Sequence, residues 1–221
     1  MAHPYFHSIS SAKIHGGVVN DYLPIHNWFD ASKQIACDFR HRALRHHREG
    51  IALAERIFGR TLTNSDRREV PTREIGEQHV REDLGEIPTA SQWYQDVEFN
   101  PSSRPRKITT EKQTEESHSR WGGVSEDYLS IHKFLDERYS RIANHLIPHH
   151  HSLGVFDCES IFGEVIHNSV GRPIPVRVIA EKHINDELGS IPPTLSLIQL
   201  IKPKPWMLRV AKPSRVILSE V

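Results

Sequence analysis

"GGVVNDYLPIHNWFD", residues 16–30, is answered by "GGVSEDYLSIHKFLD", residues 122–136, without a gap and at a shift of 106. From Glu55 the match resumes at a shift of 104. There "ERIFG" (55–59) answers "ESIFG" (159–163), and "TNSDRREVPTREIGEQH" (63–79) answers "HNSVGRPIPVRVIAEKH" (167–183). Two residues are therefore lost between Asp136 and the histidine cluster that follows it. A unit of roughly 85 residues repeated once describes two similar domains and not a solenoid.

The duplication divides the 221 residues into a first copy over 1–97, a linker over 98–119, a diverged second copy over 120–201 and a C-terminal arm over 202–221. The linker, "EFNPSSRPRKITTEKQTEESHS", is almost free of apolar residues and rich in Pro, Ser, Thr and charge, which predicts flexibility. The arm, "KPKPWMLRVAKPSRVILSEV", is basic and then apolar. It is expected to pack on the body; the alternative is a tail that binds a protein partner.

Charge and composition exclude several classes. Lys plus Arg (28) balance Asp plus Glu (28), so no global field favours nucleic acid or a membrane surface. No apolar run reaches the roughly 20 residues that span a bilayer, and "MAHPYFHSISSAKIHGG" lacks the apolar core of a secretory signal. Two cysteines build no disulfide framework and suit a reducing compartment. A cytoplasmic protein is expected. Histidine is the outlier: 16 residues, roughly three times an average share.

Within each unit the periodicity predicts a mainly α (α+β) fold of three helices with one short β-hairpin. "DYLPIHNWFDASKQIA" places Tyr22, Ile25 and Phe29 on one helical face, with Asp21 able to cap its start and Pro24 tolerated in the first turn. "RHRALRHHREGIALAERIFG" reads as one long helix that stops at Gly59. "RTLTNSDRREVPTR" reads as two short β-arms around an Asn-containing turn. The third helix starts near Arg73 and ends at Gly85.

Five histidine pairs recur between the copies: His26 with His132, His41 with His145, His46 with His150, His47 with His151, and His79 with His183. On a continuous second helix, His47 falls in the stripe of Leu44, Ile51, Glu55 and Phe58, whereas His46 points away. His151 shares the matching stripe with Val155 and Cys158. His47 and His151 are thus expected inside, and His46 and His150 at solvent. His26 and Asp30 stand four apart on helix one, and His79 and Asp83 on helix three; His132 with Asp136 and His183 with Glu187 repeat the spacing.

Three inward imidazoles with acids in support are what Zn²⁺ or a similar divalent ion accepts. The candidate metal residues are His26, His47, His79, Asp30 and Asp83 in the first copy, and His132, His151 and His183 in the second. Arg73 and Arg177, at the start of helix three, could grip a carboxylate or phosphate, or make a surface pair with Glu77 or Glu181.

The leading function is a duplicated, histidine-based divalent-metal-binding module. A non-enzymatic assembly protein, with buried histidine–carboxylate networks and the two copies paired as a pseudo-dimer, is the alternative. A metal-dependent hydrolase is third; no nucleophile triad, phosphate loop, CxxC or zincin helix supports it, and whether the chain is an enzyme stays open.

The opening "MAHPY", with "GGVVNDYLPIHNWFD", "DFRHRALRHHREGI", "ERIFGRTLTNS" and "VPTREIGEQHVREDLGEIP", resembles a family of small uncharacterised bacterial and phage proteins, a domain of unknown function. The likeness covers about residues 1–97, and the resemblance implies a tandem form of that domain. "HLIPHHHSLG" and "IAEKHINDE" depart from the pattern in the second copy, where Pro148 would bend or restart a helix. The resemblance implies no substrate and no catalytic residue.

Overall fold

The computed structural model describes residues 3–98, 106–139 and 147–209. The chain divides into two units. Residues up to Tyr94, joined by the stretch from Ile201, form the first, and Gln95–Leu200 the second.

The first unit runs α1 (Pro4–His15), α2 (Val19–Asp30), two 3₁₀ turns, α3 (Arg42–Arg45), α4 (Arg48–Phe58), β1 (Thr61–Thr63), β2 (Glu69–Pro71), α5 (Thr72–Leu84) and α6 (Ala90–Tyr94). The second runs α7 (Thr110–Trp121), α8 (Glu126–Leu135), α9 (Ser152–Phe162), β3 (Val165–His167), β4 (Pro173–Pro175), α10 (Val176–Leu188) and α11 (Thr194–Ile198). The α-rich, hairpin-bearing duplicate read from the sequence is what the structure contains.

Helices α1 and α7 and the short α6 and α11 are additions to the expected three. Helix α7 occupies the latter part of the stretch read as linker. Part of that linker, 99–105, lies outside the described residues, as do His145 and the arm beyond Arg209.

Each hairpin is held by one asparagine. Asn64 accepts from the Arg68 amide at 2.9 Å, closing the turn between β1 and β2. Its amide nitrogen donates to the His15 carbonyl and the Tyr22 hydroxyl, at 3.2 and 3.0 Å. Asn168 repeats all three contacts with Arg172, Trp121 and Tyr128. The turn needs a left-handed residue, supplied by Arg67 (φ 62°) in the first copy and by Gly171 (φ 78°) in the second.

Tyr22, Phe29, Ile51, Ile75, Leu84 and Trp93 are buried and pack α2, α4, α5 and α6 into one core. The segment after Ile201 closes this unit. Met207 is fully buried, Trp206 meets Trp93 edge-on at 4.7 Å, and the Arg42 guanidinium donates to the Arg209 carbonyl at 3.0 Å. This part of the arm packs on the body, as expected. Met207→Ala should cost the first unit about 2–5 kcal/mol, the range for truncating a buried methionine. Urea unfolding followed by tryptophan fluorescence reads it, and a loss under about 1 kcal/mol would show that the segment contributes no core.

Candidate metal centre

Helix α2 ends on Asp30, and α5 carries His79 and Asp83 one turn apart. Both helices turn these polar residues inward because their apolar neighbours occupy the same face: Tyr22, Ile25 and Phe29 on α2, Ile75 and Val80 on α5. Phe29 stacks on His79 with ring centres 4.9 Å apart.

The fourth member is His46, and here the sequence reading is corrected. The long second helix is not continuous. His46 takes φ −87°, ψ 62° as the C-cap of α3, and His47 is fully extended as the N-cap of α4. A helical phase carried across residues 45–48 therefore has no meaning. His46, expected at solvent, is 0% exposed. His47 is buried too, but its Nδ1 accepts from the Gly50 amide at 3.0 Å, which commits that nitrogen to capping. Gly50 is the local cause: a Cβ there would overlap the Arg45 carbonyl, so only glycine lets α4 start this close beneath α3.

One donor atom from each of Asp30, His46, His79 and Asp83 lies within 4.8 Å of all the others, and all four residues are buried. His46 Nε2 stands 3.1 Å from His79 Nε2, 3.4 Å from Asp83 Oδ2 and 3.8 Å from Asp30 Oδ1; His79 Nε2 is 3.9 Å from Asp30 Oδ1. Neither Asp83 oxygen accepts a hydrogen bond.

His26 is not in this group. It stands behind His79, in a chain whose proton directions can be deduced. Gln78 donates its amide to Glu82 at 2.9 Å, so its oxygen faces Ser11 and accepts the Ser11 hydroxyl, also at 2.9 Å. Ser11 Oγ, its one proton spent, accepts from His26 Nε2 at 2.8 Å. A neutral His26 then offers only a lone pair at Nδ1, which must accept from His79 Nδ1 at 3.0 Å. The consequence is an unprotonated Nε2 on His79, which faces the two carboxylates and accepts from His46 Nε2 at 3.1 Å. That is the tautomer a metal-ligating imidazole needs, fixed by an outer partner.

Burial drives His26 and His46 down to about 3 and His41 to about 4, and holds His79 well below its usual range. These rings are neutral at pH 7. His7 on α1 differs. Burial would lower it, but the carboxylates of Asp83 and Glu82, 3.4 and 2.6 Å away, raise it to about 9, so it is a cation. Burial likewise works to raise Asp83, yet the neighbouring His46 and His7 hold it well below the ordinary carboxylate range. Asp30 is pushed up by burial against the opposing pull of Lys33.

The second copy builds the same group from Asp136, His150, His183 and Glu187. His150, also expected at solvent, is 0% exposed. His150 Nε2 is 3.1 Å from Glu187 and His183 Nε2 is 3.4 Å from Asp136. The outer chain recurs: Ser117 to His132 Nε2 at 2.9 Å, and His132 Nδ1 to His183 Nδ1 at 2.9 Å. His149, His150 and His151 do not share a helix. They span a turn and the N-cap of α9, and all three are buried. His151 bonds Thr194 and the Pro148 carbonyl, each at 3.1 Å, and stands outside the group.

Arg73 and Arg177 sit apart from both groups. Each spans to the preceding helix with a two-pronged pair, Arg73 to Glu55 and Arg177 to Glu159, both with 2.6 Å closest contacts. Arg177 also reaches Glu181 at 3.7 Å, whereas Glu77 pairs with Arg81.

The sequence of this duplicated helical chain matches a family model twice. The model of a domain of unknown function, DUF6915, fits residues 2–102 and again residues 109–207. The chain belongs to that family and carries its domain twice. No match was found among curated proteins or among solved structures. Among the described residues, no helix is long and apolar enough to cross a membrane.

Proposed function

We propose that each domain is a divalent-metal-binding module whose ligands are two histidines and two carboxylates: Asp30, His46, His79 and Asp83 in the first, and Asp136, His150, His183 and Glu187 in the second. The observation that carries this reading is the clustering of His79 Nε2, His46 Nε2 and two carboxylates at 3.1–3.9 Å donor separations. Ligands about 2.0–2.2 Å from one ion lie this far apart. Imidazole with carboxylate suits Zn²⁺, Fe²⁺ or Mn²⁺ better than a soft ion. Burial of all four first-domain donors favours a structural ion over a hydrolytic one, which keeps a position open to substrate. Such an ion would tie the end of α2, the α3–α4 junction and α5 together.

A second reading has one observation in its favour. His7, Lys33 and Arg42 already balance the first-domain carboxylates, so that network is electrically complete without an ion.

Zinc analysis of untagged, dialysed protein separates the two readings. The module predicts two equivalents per chain, one fewer after His46→Ala or His150→Ala, and no change after His47→Ala. Zinc-free protein after equilibration with micromolar Zn²⁺ would leave the metal-free network standing.

A further inference from the structure

The two groups share a ligand set but not a setting. In the first domain every carboxylate has a permanent cation beside it. Lys33 Nζ lies 2.7 Å from Asp30 Oδ2, and Arg42 Nε lies 3.3 Å from Asp83 Oδ2. His7 adds a third contact to Asp83.

By position in the repeat, His7 becomes Gln113 and Arg42 becomes Leu146, while Lys33 falls in the stretch where two residues are lost and has no assigned counterpart. Leu146 lies outside the described residues; its side chain is uncharged in any case. Among the described residues, the ion-pair neighbours of Asp136 and Glu187 are the histidines of the group alone. Asp136 takes its other contact from the neutral Thr110 hydroxyl. Lys182, the nearest added cation in the sequence of α10, is engaged by Glu116 and Asp186 at 3.0 and 2.5 Å.

Access differs as well. The Asp136 side chain is 23% exposed, whereas Asp30 and Asp83 are at 4% and 0%.

From this contrast, and resting on the metal reading above, we infer that the two sites are a graded pair. The second domain takes a divalent cation first and at least tenfold more tightly. The first domain accepts one only against its own Lys33 and Arg42. Two fixed positive charges a few ångströms from the ligand carboxylates repel an incoming dication, and the enclosure allows little screening. In the second domain, two carboxylates with no fixed cation in contact among the described residues leave a charge deficit that a dication fills. The duplication has thus kept the ligands while separating their affinities.

The test is a Zn²⁺ titration of the metal-stripped full chain against a competing chromophoric chelator, for wild type, His46→Ala, His150→Ala and Lys33→Met. Two classes of site are expected, at least tenfold apart. His150→Ala should remove the tight class and His46→Ala the weak one. Lys33→Met, a change at the rim of the group, should tighten the weak class severalfold and keeps the test decisive if His46→Ala fails to fold. Two equal classes, or loss of the tight class in His46→Ala, would overturn the grading while leaving the metal reading intact. No zinc in either class would overturn both.

Discussion

Taken from pH 7.5 to pH 5 in the presence of a chelator, each domain should lose at least about 4 kcal/mol of stability, and the first more, because its metal-free His46 and His79 are buried neutral rings as well. Two buried neutral histidines outside the proposed ligands carry this in each half. They are His26 (about 3) and His41 (about 4) in the first, and His132 (about 3) and His151 (about 4) in the second. Unfolded, each ring takes a proton near pH 6.5; folded, each refuses it until about pH 3–4. The unfolded state therefore binds more protons throughout that window, and stability falls as pH drops from 6.5. At pH 5 the difference is about 2 kcal/mol for each ring. His7, raised to about 9, has the opposite sign. Its contribution is complete only below 6.5 and is lost as pH rises through 9, so between pH 7.5 and 5 it returns about 1 kcal/mol to the first domain. Asp30, pushed up by burial, trims the slope slightly. Denaturant midpoints measured across pH 5–8 read the effect. A flat profile between pH 7 and 5 would mean that these rings are protonated or solvated in the fold.

Asp83→Ala should destabilise the first domain by about 3–5 kcal/mol, more than the matching Glu187→Ala destabilises the second. Asp83 is the shared counter-charge of Arg42 and His7, both at most 2% exposed. Its removal strands the Arg42 guanidinium in the interior and leaves the His7 imidazolium with Glu82 alone. Glu187 has only the uncharged half of that role, because no arginine or lysine faces it among the described residues. Its loss should cost about 1–3 kcal/mol, the range for an unsatisfied buried polar partner. Asp83→Asn, which keeps the volume and loses the charge, should fall close to Asp83→Ala. Equal losses for Asp83→Ala and Glu187→Ala would contradict the asymmetry.

Much of this was legible in the chain, and the failures have local causes. Alternation of Tyr22, His26 and Asp30 on one face, and of His79 and Asp83 on another, was readable because α2 and α5 are regular and carry apolar neighbours in phase. Helix α1 escaped notice because its buried face is His7, Ser8 and Ser11, with no apolar period to detect. That face is polar because it serves the histidine chain. A signal existed: Ser11 and Ser117 keep the shift of 106, so the repeat extends upstream of Gly16. The exchange of His46 for His47 came from carrying one helical phase through a break. Gly50 and Gly154 marked that break, four residues past His46 and His150 in both copies, each beneath a carbonyl that a Cβ would overlap.

The return of residues 201–209 to the first domain sets an order on biosynthesis. When the ribosome has delivered Tyr94, the surface that Met207 will cover is still bare, and Arg42 lacks the carbonyl of Arg209. Roughly 110 more residues must emerge, about 6–20 s at ordinary elongation speeds. Over that interval the nascent first half presents Trp93 to its surroundings, and the second half can finish folding before the first is sealed.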